Sequence, residues 1–305
     1  MFTTNQEAYR IDDFVEFHNE SCLADTIVEP MVKFLELSGM NSQELKEEAV
    51  LIYSLTYSVP TTIVILCKLN ELNTNPTEFW QKYRSKLLFQ SDRKYVKMNN
   101  RFINGYFDFK KSGIFELLRN KEIIDLAKTV KLIEQCYSFG RFSAFLFLET
   151  YGAMFNREFV NNQLDWIDGA TVTSGLLNVL GKDKEANIWD KTHQLDFNPL
   201  IFDKFANYLL DKMSIGKKLA ILETNLCAYR KLFKGTRYIG YYSDRVLEEL
   251  YYTIEQFPEH KKELEILFVA REMIIPDKYL GEKHGWTGIR TELKKHYLKT
   301  CDWRW

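Results

Sequence analysis

The stretch LETNLCAYRKLFKGTRYIGYYSDR, Leu222 to Arg245, decides the fold. Wound at about 100° per residue, Leu222, Leu226, Tyr229 and Phe233 share one stripe through their 4, 3, 4 spacing. Such a stripe is the apolar seam of a helix docked on a core. Glu223, Cys227, Arg230 and Lys234 repeat the spacing on the adjacent stripe. One acid and two cations are therefore expected at the margin of the buried face. Gly235 is suited to end the helix in a left-handed cap. Thr236 to Gly240 then form a short link to a second helix, with Asp244 and Arg245 in its first turn.

The same period runs outward in both directions. NPTEFWQKYRSKLL starts with Asn75 as N-cap, Pro76 at the first helical position and Glu78 three residues after the cap. NSQELKEEAVLIYSLTYS starts in the same way, with Asn41 as cap and Glu44 reciprocal to it. Pro60 separates that helix from TTIVILCKLNEL. Further helices are predicted at 21–38, 92–108, 121–136, 141–155, 182–194, 199–213, 217–234, 242–256, 260–272 and 287–299. Glycine (14) and proline (6) are scarce among 305 residues, which favours long helices over strands and turns. No strand alternation of useful length, repeat or low-complexity linker is present. The expectation is an all-α, multi-helix globular bundle, either one domain or two intimate lobes, 1–160 and 161–305. The Asn-, Asp- and Gly-rich stretch 161–175 marks the boundary, and 279–288, with three glycines, marks a second irregular region.

Composition narrows the function. The chain is 46% apolar and nearly neutral, at formal charge −1, which describes a folded protein and argues against a non-specific coat for nucleic acid. The five cysteines are odd in number and form no CxxC, so they read as reduced thiols. The histidines are scattered, which leaves no zinc pattern. Neither a secretion signal nor an apolar run long enough for a bilayer is seen, so no membrane partner and an intracellular location are expected. P-loop, dinucleotide, zinc-protease and serine-hydrolase motifs are missing as well.

Chemistry concentrates in three places. Between Glu223 and Asp244 stand Arg230, Lys231, Lys234 and Arg237 without an intervening acid, together with Tyr229, Tyr238, Tyr241 and Tyr242. Macrodipole compensation at a helix C-terminus accounts for Arg230 to Lys234. It accounts less well for Arg237, the tyrosines and the missing acids, and an anion site for a phosphorylated ligand stands beside it. In YSFGRFSAFLFLETYGAMFNR, Arg141 shares a stripe with Phe145 and Leu148, and Glu149 lies toward the same side. The two either pair with neighbouring helices or line a pocket with Arg141 as an anion clamp. In DGATVTSGLLNVLGK, Thr173 or Ser174 is expected to cap a helix whose amides face an anion. Two more basic clusters interleave with aromatics: Arg93, Lys94, Lys97 and Arg101 beside Tyr95 and Phe102, and Arg290, Lys294, Lys295 and Lys299 before Asp-Trp-Arg-Trp. That pattern suits phosphates and unstacked bases, though solvated helix faces produce it too.

Three segments carry a family resemblance: SGLLNVLGKD (174–183), GRFSAFLFLE (140–149) and ETNLCAYRKLFKGTRYIGYYSDR (223–245). They resemble the amino acid:DNA transferase family of tailed bacteriophages, the alpha-glutamyl/putrescinyl thymine pyrophosphorylases of thymidine hypermodification. The resemblance runs from about residue 130 to the end and is strongest in ET-x-LC-x-Y-(K/R)-K…G-x-RY…GYY-x-D-R. LLNVLGK also resembles the hairpin of helix-hairpin-helix DNA-binding proteins such as glycosylases, with Gly181 in place but no second glycine.

The family resemblance implies an enzyme acting on phage DNA in the cytoplasm of an infected bacterium. It would displace pyrophosphate from 5-(pyrophosphoryloxymethyl)uracil with the amine of an amino acid or polyamine. Arg230, Lys231, Lys234 and Arg237, joined by Arg141 and Ser174, would hold the leaving pyrophosphate and the DNA. Glu223, Glu149 or Asp244 would take the proton of the amine. Tyr238, Tyr241 or Tyr242 would stack on a flipped base. No cofactor or protein-bound metal is implied; Mg2+ assistance is compatible with pyrophosphate loss, but no dense carboxylate cluster demands it. The alternatives are a base-flipping, glycosylase-like DNA-binding protein without transferase activity, and a non-enzymatic interaction protein.

Overall fold

The computed structural model describes residues 5–120, 124–157, 159–160, 170–194, 198–234 and 236–280. These residues form an all-α protein. The one departure among them is a parallel pairing of two-residue strands, Ile124–Asp125 with Phe159–Val160. The chain divides into two compact units, each discontinuous in sequence. The first comprises 1–26, 161–241 and 275–305, the second 27–160 and 242–274. One change of unit falls at 160/161. The N-terminal residues and the 242–274 segment, however, belong with the opposite halves.

Apolar matching explains why the first helix crosses over. In the first unit Asn5–Ala24 buries Phe14 and Phe17 against Tyr229 of Leu219–Phe233, with ring centroids 5.1 and 5.3 Å apart. The Tyr229 hydroxyl donates to Asp13 Oδ2 at 2.7 Å, so this buried ring keeps a polar partner. Leu222, Leu226 and Tyr229 are fully buried, as their stripe requires, but Phe233 is 43% exposed. Its ring instead lies 5.6 Å below the Arg10 guanidinium. The Ala170–Val179 helix crosses Leu219–Phe233 so closely that a Cβ on Gly175 would stand 2.1 Å from the Leu226 carbonyl oxygen. After it, Gly181 takes φ +74° and turns the chain into Asp183–Thr192.

The second unit is built around Gln43–Thr56, every residue of which from Glu47 to Thr56 is buried. Its buried acids have partners: Arg119 donates to Glu47 and Lys110 to Glu48. Lys261–Ile274 lies along Val28–Leu37, and Arg141–Phe155 along Gln43–Thr56. This packing brings residues beyond 242 into the N-terminal set.

Local signals explain several helix starts. Asn75 caps Pro76–Tyr83, its side chain accepting from Glu78 N at 3.3 Å and donating to Glu78 Oε2 at 2.7 Å. The cap of Gln43–Thr56 is Ser42, one residue later than expected for Asn41. Tyr57 ends that helix in the left-handed region, and Ser58 caps Val59–Cys67, with Pro60 in its first turn. Other expectations change. The 21–38 helix is two, Asn5–Ala24 and Val28–Leu37. The 92–108 helix is a 3-10 segment, Ser91–Lys97, followed by Arg101–Lys111. The 121–136 helix is reduced to Leu126–Ile133. Thr173 and Ser174 lie inside Ala170–Val179 and are fully buried, so they are not its caps. The 161–169 boundary, the Gly235 cap, most of the 279–288 loop, the 287–299 helix and the C-terminal basic cluster lie outside the described residues.

Candidate functional site

The expected site residues divide between the units. Glu223, Arg230, Lys231, Lys234, Arg237, Ser174, Tyr238 and Tyr241 belong to the first, and Arg141, Glu149, Asp244 and Tyr242 to the second.

In the first unit, Arg230 is not presented to a ligand. It is 3% exposed, and its guanidinium donates to Asp190 Oδ2 from Nε at 3.0 Å and from Nη2 at 2.6 Å. Nη1 and Nη2 also donate to Asn178 Oδ1 and Asn187 Oδ1, at 3.0 and 2.7 Å. Lys234 pairs with the same carboxylate, and Ser174 Oγ donates to its other oxygen at 2.6 Å. Burial alone would raise the Asp190 carboxyl; the hydrogen bonds from Lys234, Ser174 and Arg230 outweigh it and hold the group below the usual range. Asn178 extends the network, donating to Asp183 Oδ1 at 2.7 Å, and Arg10 forks onto both Asp183 oxygens at 2.7 and 2.9 Å. Four helices are stitched together by these groups. The anion expected near Arg230, Lys234 and Ser174 is thus the protein's own Asp190.

Glu223, Lys231 and Arg237 gather elsewhere. Glu223, Cys227 and Lys231 follow a 4, 4 spacing along Leu219–Phe233, and Arg237 stands in the link after it. The charges of all three act on the Cys227 thiol. Burial pushes that thiol up to about 11, the Glu223 carboxylate pushes further, and Lys231, Arg237 and the Thr171 hydroxyl oppose. Arg237 lies 5.4 Å from the Tyr241 ring, and Tyr238 meets Tyr241 edge-on with centroids 5.8 Å apart. All five expected residues of this group are half-buried. An acid, two cations and two half-buried aromatic rings therefore belong to one unit, on Leu219–Phe233 and just after it.

In the second unit one expected residue, Tyr242, stands beside a pair that was not singled out. Arg245 Nε lies 3.2 Å from Glu249 Oε1, and the guanidinium is 4.4 Å over the Tyr57 ring and 5.0 Å over the Tyr242 ring. Gln90 Nε2 donates to Glu249 Oε1, while Oε2 is buried without a hydrogen-bond partner. Burial pushes the Glu249 carboxyl up to about 7; Arg245, Ser58 and Gln90 draw it down and Glu248 adds to the rise. Tyr53, fully enclosed, is raised well above its usual range by burial first and then by its charged surroundings, which include Glu249 and Glu149. Tyr242 and Asp244 are buried, at 8% and 1% exposure, so Tyr242 faces Arg245 and is not offered to a base. Arg141 and Glu149 are half-buried. Glu249 was not among the expected site residues. The signal was there: Tyr242, Val246, Glu249 and Thr253 form a 4, 3, 4 stripe, and all four are buried.

A cleft of about 390 Å³ in the second unit, lined by Asp108, Ser112, Leu132 and Cys136 among others, contains no expected site residue. Among the described residues no cluster of His, Cys, Asp and Glu is arranged to hold a metal ion, and no helix is long and apolar enough to cross a membrane. No protein-family model, curated protein or solved structure matches the chain.

Proposed function

We propose that the protein is a DNA base-hypermodification transferase, displacing pyrophosphate from 5-(pyrophosphoryloxymethyl)uracil with the amine of an amino acid or polyamine. The observation that carries this reading is the group formed by Glu223, Lys231, Arg237, Tyr238 and Tyr241, which falls within the segment that most resembles the phage transferases. In this reading the amine arrives as an ammonium and gives a proton to Glu223. Its lone pair forms the C–N bond at the methylene carbon as the C–O pair leaves with pyrophosphate. Lys231 and Arg237 meet the negative charge that grows on the leaving group. The Tyr238 and Tyr241 faces support the uracil ring once it is flipped from the stack. Arg230, Lys234 and Ser174 take no part in holding pyrophosphate. They fix the helix from which Lys231 projects.

Arg237→Ala tests the assignment. Turnover on pyrophosphorylated DNA should fall by about 10²-fold or more, the scale of removing one transition-state charge partner, while duplex affinity falls much less. Equal losses in turnover and affinity would reduce Arg237 to a plain phosphate contact.

A further inference from the structure

The basic cluster at 93–101 is not used by the proposed chemistry, yet it is assembled with care. Arg93 is 3% exposed; its guanidinium lies 4.7 Å from the Phe142 ring, and Nη1 donates to the Tyr95 hydroxyl at 3.1 Å. Tyr95 donates onward to the Ser138 carbonyl at 3.1 Å, and Ser138 Oγ donates to the Arg101 carbonyl at 3.0 Å. Arg101 lies 5.8 Å from the Tyr95 ring. The 137–138 loop is clamped onto Arg101–Lys111: the Tyr137 amide donates to Asp108 Oδ2 at 2.7 Å, and a Cβ on Gly105 would stand 2.9 Å from the Tyr137 carbonyl oxygen. Asn99, Asn100 and Ser138 hold φ of 51°, 58° and 66°, a backbone state that is uncommon outside glycine.

This scaffold presents large apolar groups to solvent. Tyr137 is 45% exposed, Phe142 47% and Met98 60%, and the exposed cations Lys94 and Arg101 stand on the same segments. Rings left in water, set beside cations and held by a chain of hydrogen bonds, match what an unpaired nucleic-acid strand offers: phosphates for the cations and a π-face on every base for the rings. An acidic protein would satisfy the cations but not the rings. We infer that Tyr137, Phe142, Lys94 and Arg101 form a binding face for single-stranded nucleic acid in the second unit. The inference shares its partner class with the proposed transferase and rests on that reading only for the strand being DNA.

The test is fluorescence anisotropy with a labelled oligothymidylate of about 12 nucleotides, within the usual site size for such faces. Wild-type protein should bind the single strand more tightly than the matching duplex. Tyr137→Ala and Phe142→Ala should each weaken binding by at least about fivefold, the lower end of one base–aromatic stack. Arg101→Ala should reduce the slope of log affinity against log salt by about 0.7, one phosphate contact on a single strand. Because Phe142 also covers Arg93, the exposed Tyr137→Ala and Arg101→Ala decide the matter should Phe142→Ala unfold. Unchanged affinity in those two variants, no binding by the wild type, or displacement of the strand by polyglutamate as readily as by unlabelled strand would each overturn the inference. If the variants bind normally and the wild type still transfers amines, the face is wrong and the transferase stands. If the face binds as described and no transfer occurs, the reverse holds.

Discussion

Each unit buries an arginine against a carboxylate, and the two pairs differ in how completely they are satisfied. Around Asp190 both oxygens are engaged, by Arg230, Lys234 and Ser174, and Arg230 has further acceptors in Asn178 and Asn187. Around Glu249 one oxygen meets Arg245 and Gln90 while the other has no hydrogen-bond partner. The carboxyls respond oppositely, Asp190 held low and Glu249 pushed up to about 7. Burial favours the neutral form of both, and each has three groups that favour the charged form; what separates them is that Glu249 is 4% exposed while Asp190 is half-buried. The half-buried, doubly engaged carboxylate holds helices together, whereas the deeply buried one is pushed toward neutrality.

The sharpest way to break the comparison is to remove one arginine. Arg230→Ala removes two hydrogen bonds to Asp190 and one each to Asn178 and Asn187, and should cost about 3–5 kcal/mol in denaturant unfolding. A cost below about 1 kcal/mol would mean that the network holds little. Gly175→Ala should come next, at about 3 kcal/mol, because the new methyl meets the Leu226 backbone and forces apart two of the helices that carry the network. Thermal unfolding checks it, and unchanged stability would contradict the close crossing.

Glu249 gives the contrasting response. Its folded-state value lies above the ordinary 4.5, so the folded protein binds the extra proton between about pH 4.5 and 7. Stability from this group is therefore present below pH 4.5 and declines as pH rises through 7, by about 3 kcal/mol at most for a shift of this size. Glu249→Gln should flatten that part of the stability profile and leave the Asp190 response in place. Identical profiles for the two proteins would remove Glu249 from the titration. The smallest effect expected is in Asn75→Ala, which loses one exposed helix cap and about 1 kcal/mol.

The helical character of the chain could be read from local chemistry because caps and seams are local. Asn75, Pro76 and Glu78 mark their helix within four residues, and Leu222, Leu226 and Tyr229 mark their buried face. The break at 25–27 was not legible, since Asp25, Thr26 and Ile27 include neither glycine nor proline. The site was less legible than the fold. A window from Glu223 to Asp244 holds no acid, so its cations read as unpaired. The acid that answers Arg230 lies 40 residues earlier, on another helix. Glu249 was not anticipated, since one of the groups that surround it, Gln90, lies 159 residues earlier. Burial and distant partners are tertiary properties, and they are what gave Arg230 its anion within the protein.

The most direct test of the proposed activity is incubation of the protein with DNA carrying 5-(pyrophosphoryloxymethyl)uracil and a mixed pool of amino acids and polyamines, followed by nucleoside mass spectrometry. The account predicts a thymidine nucleoside in which the amine is bonded to the methyl carbon, released pyrophosphate in equal amount, and both formed about 10²-fold more slowly with Arg237→Ala. Recovery of the starting nucleoside from the wild-type reaction, with every amine left free, would contradict it.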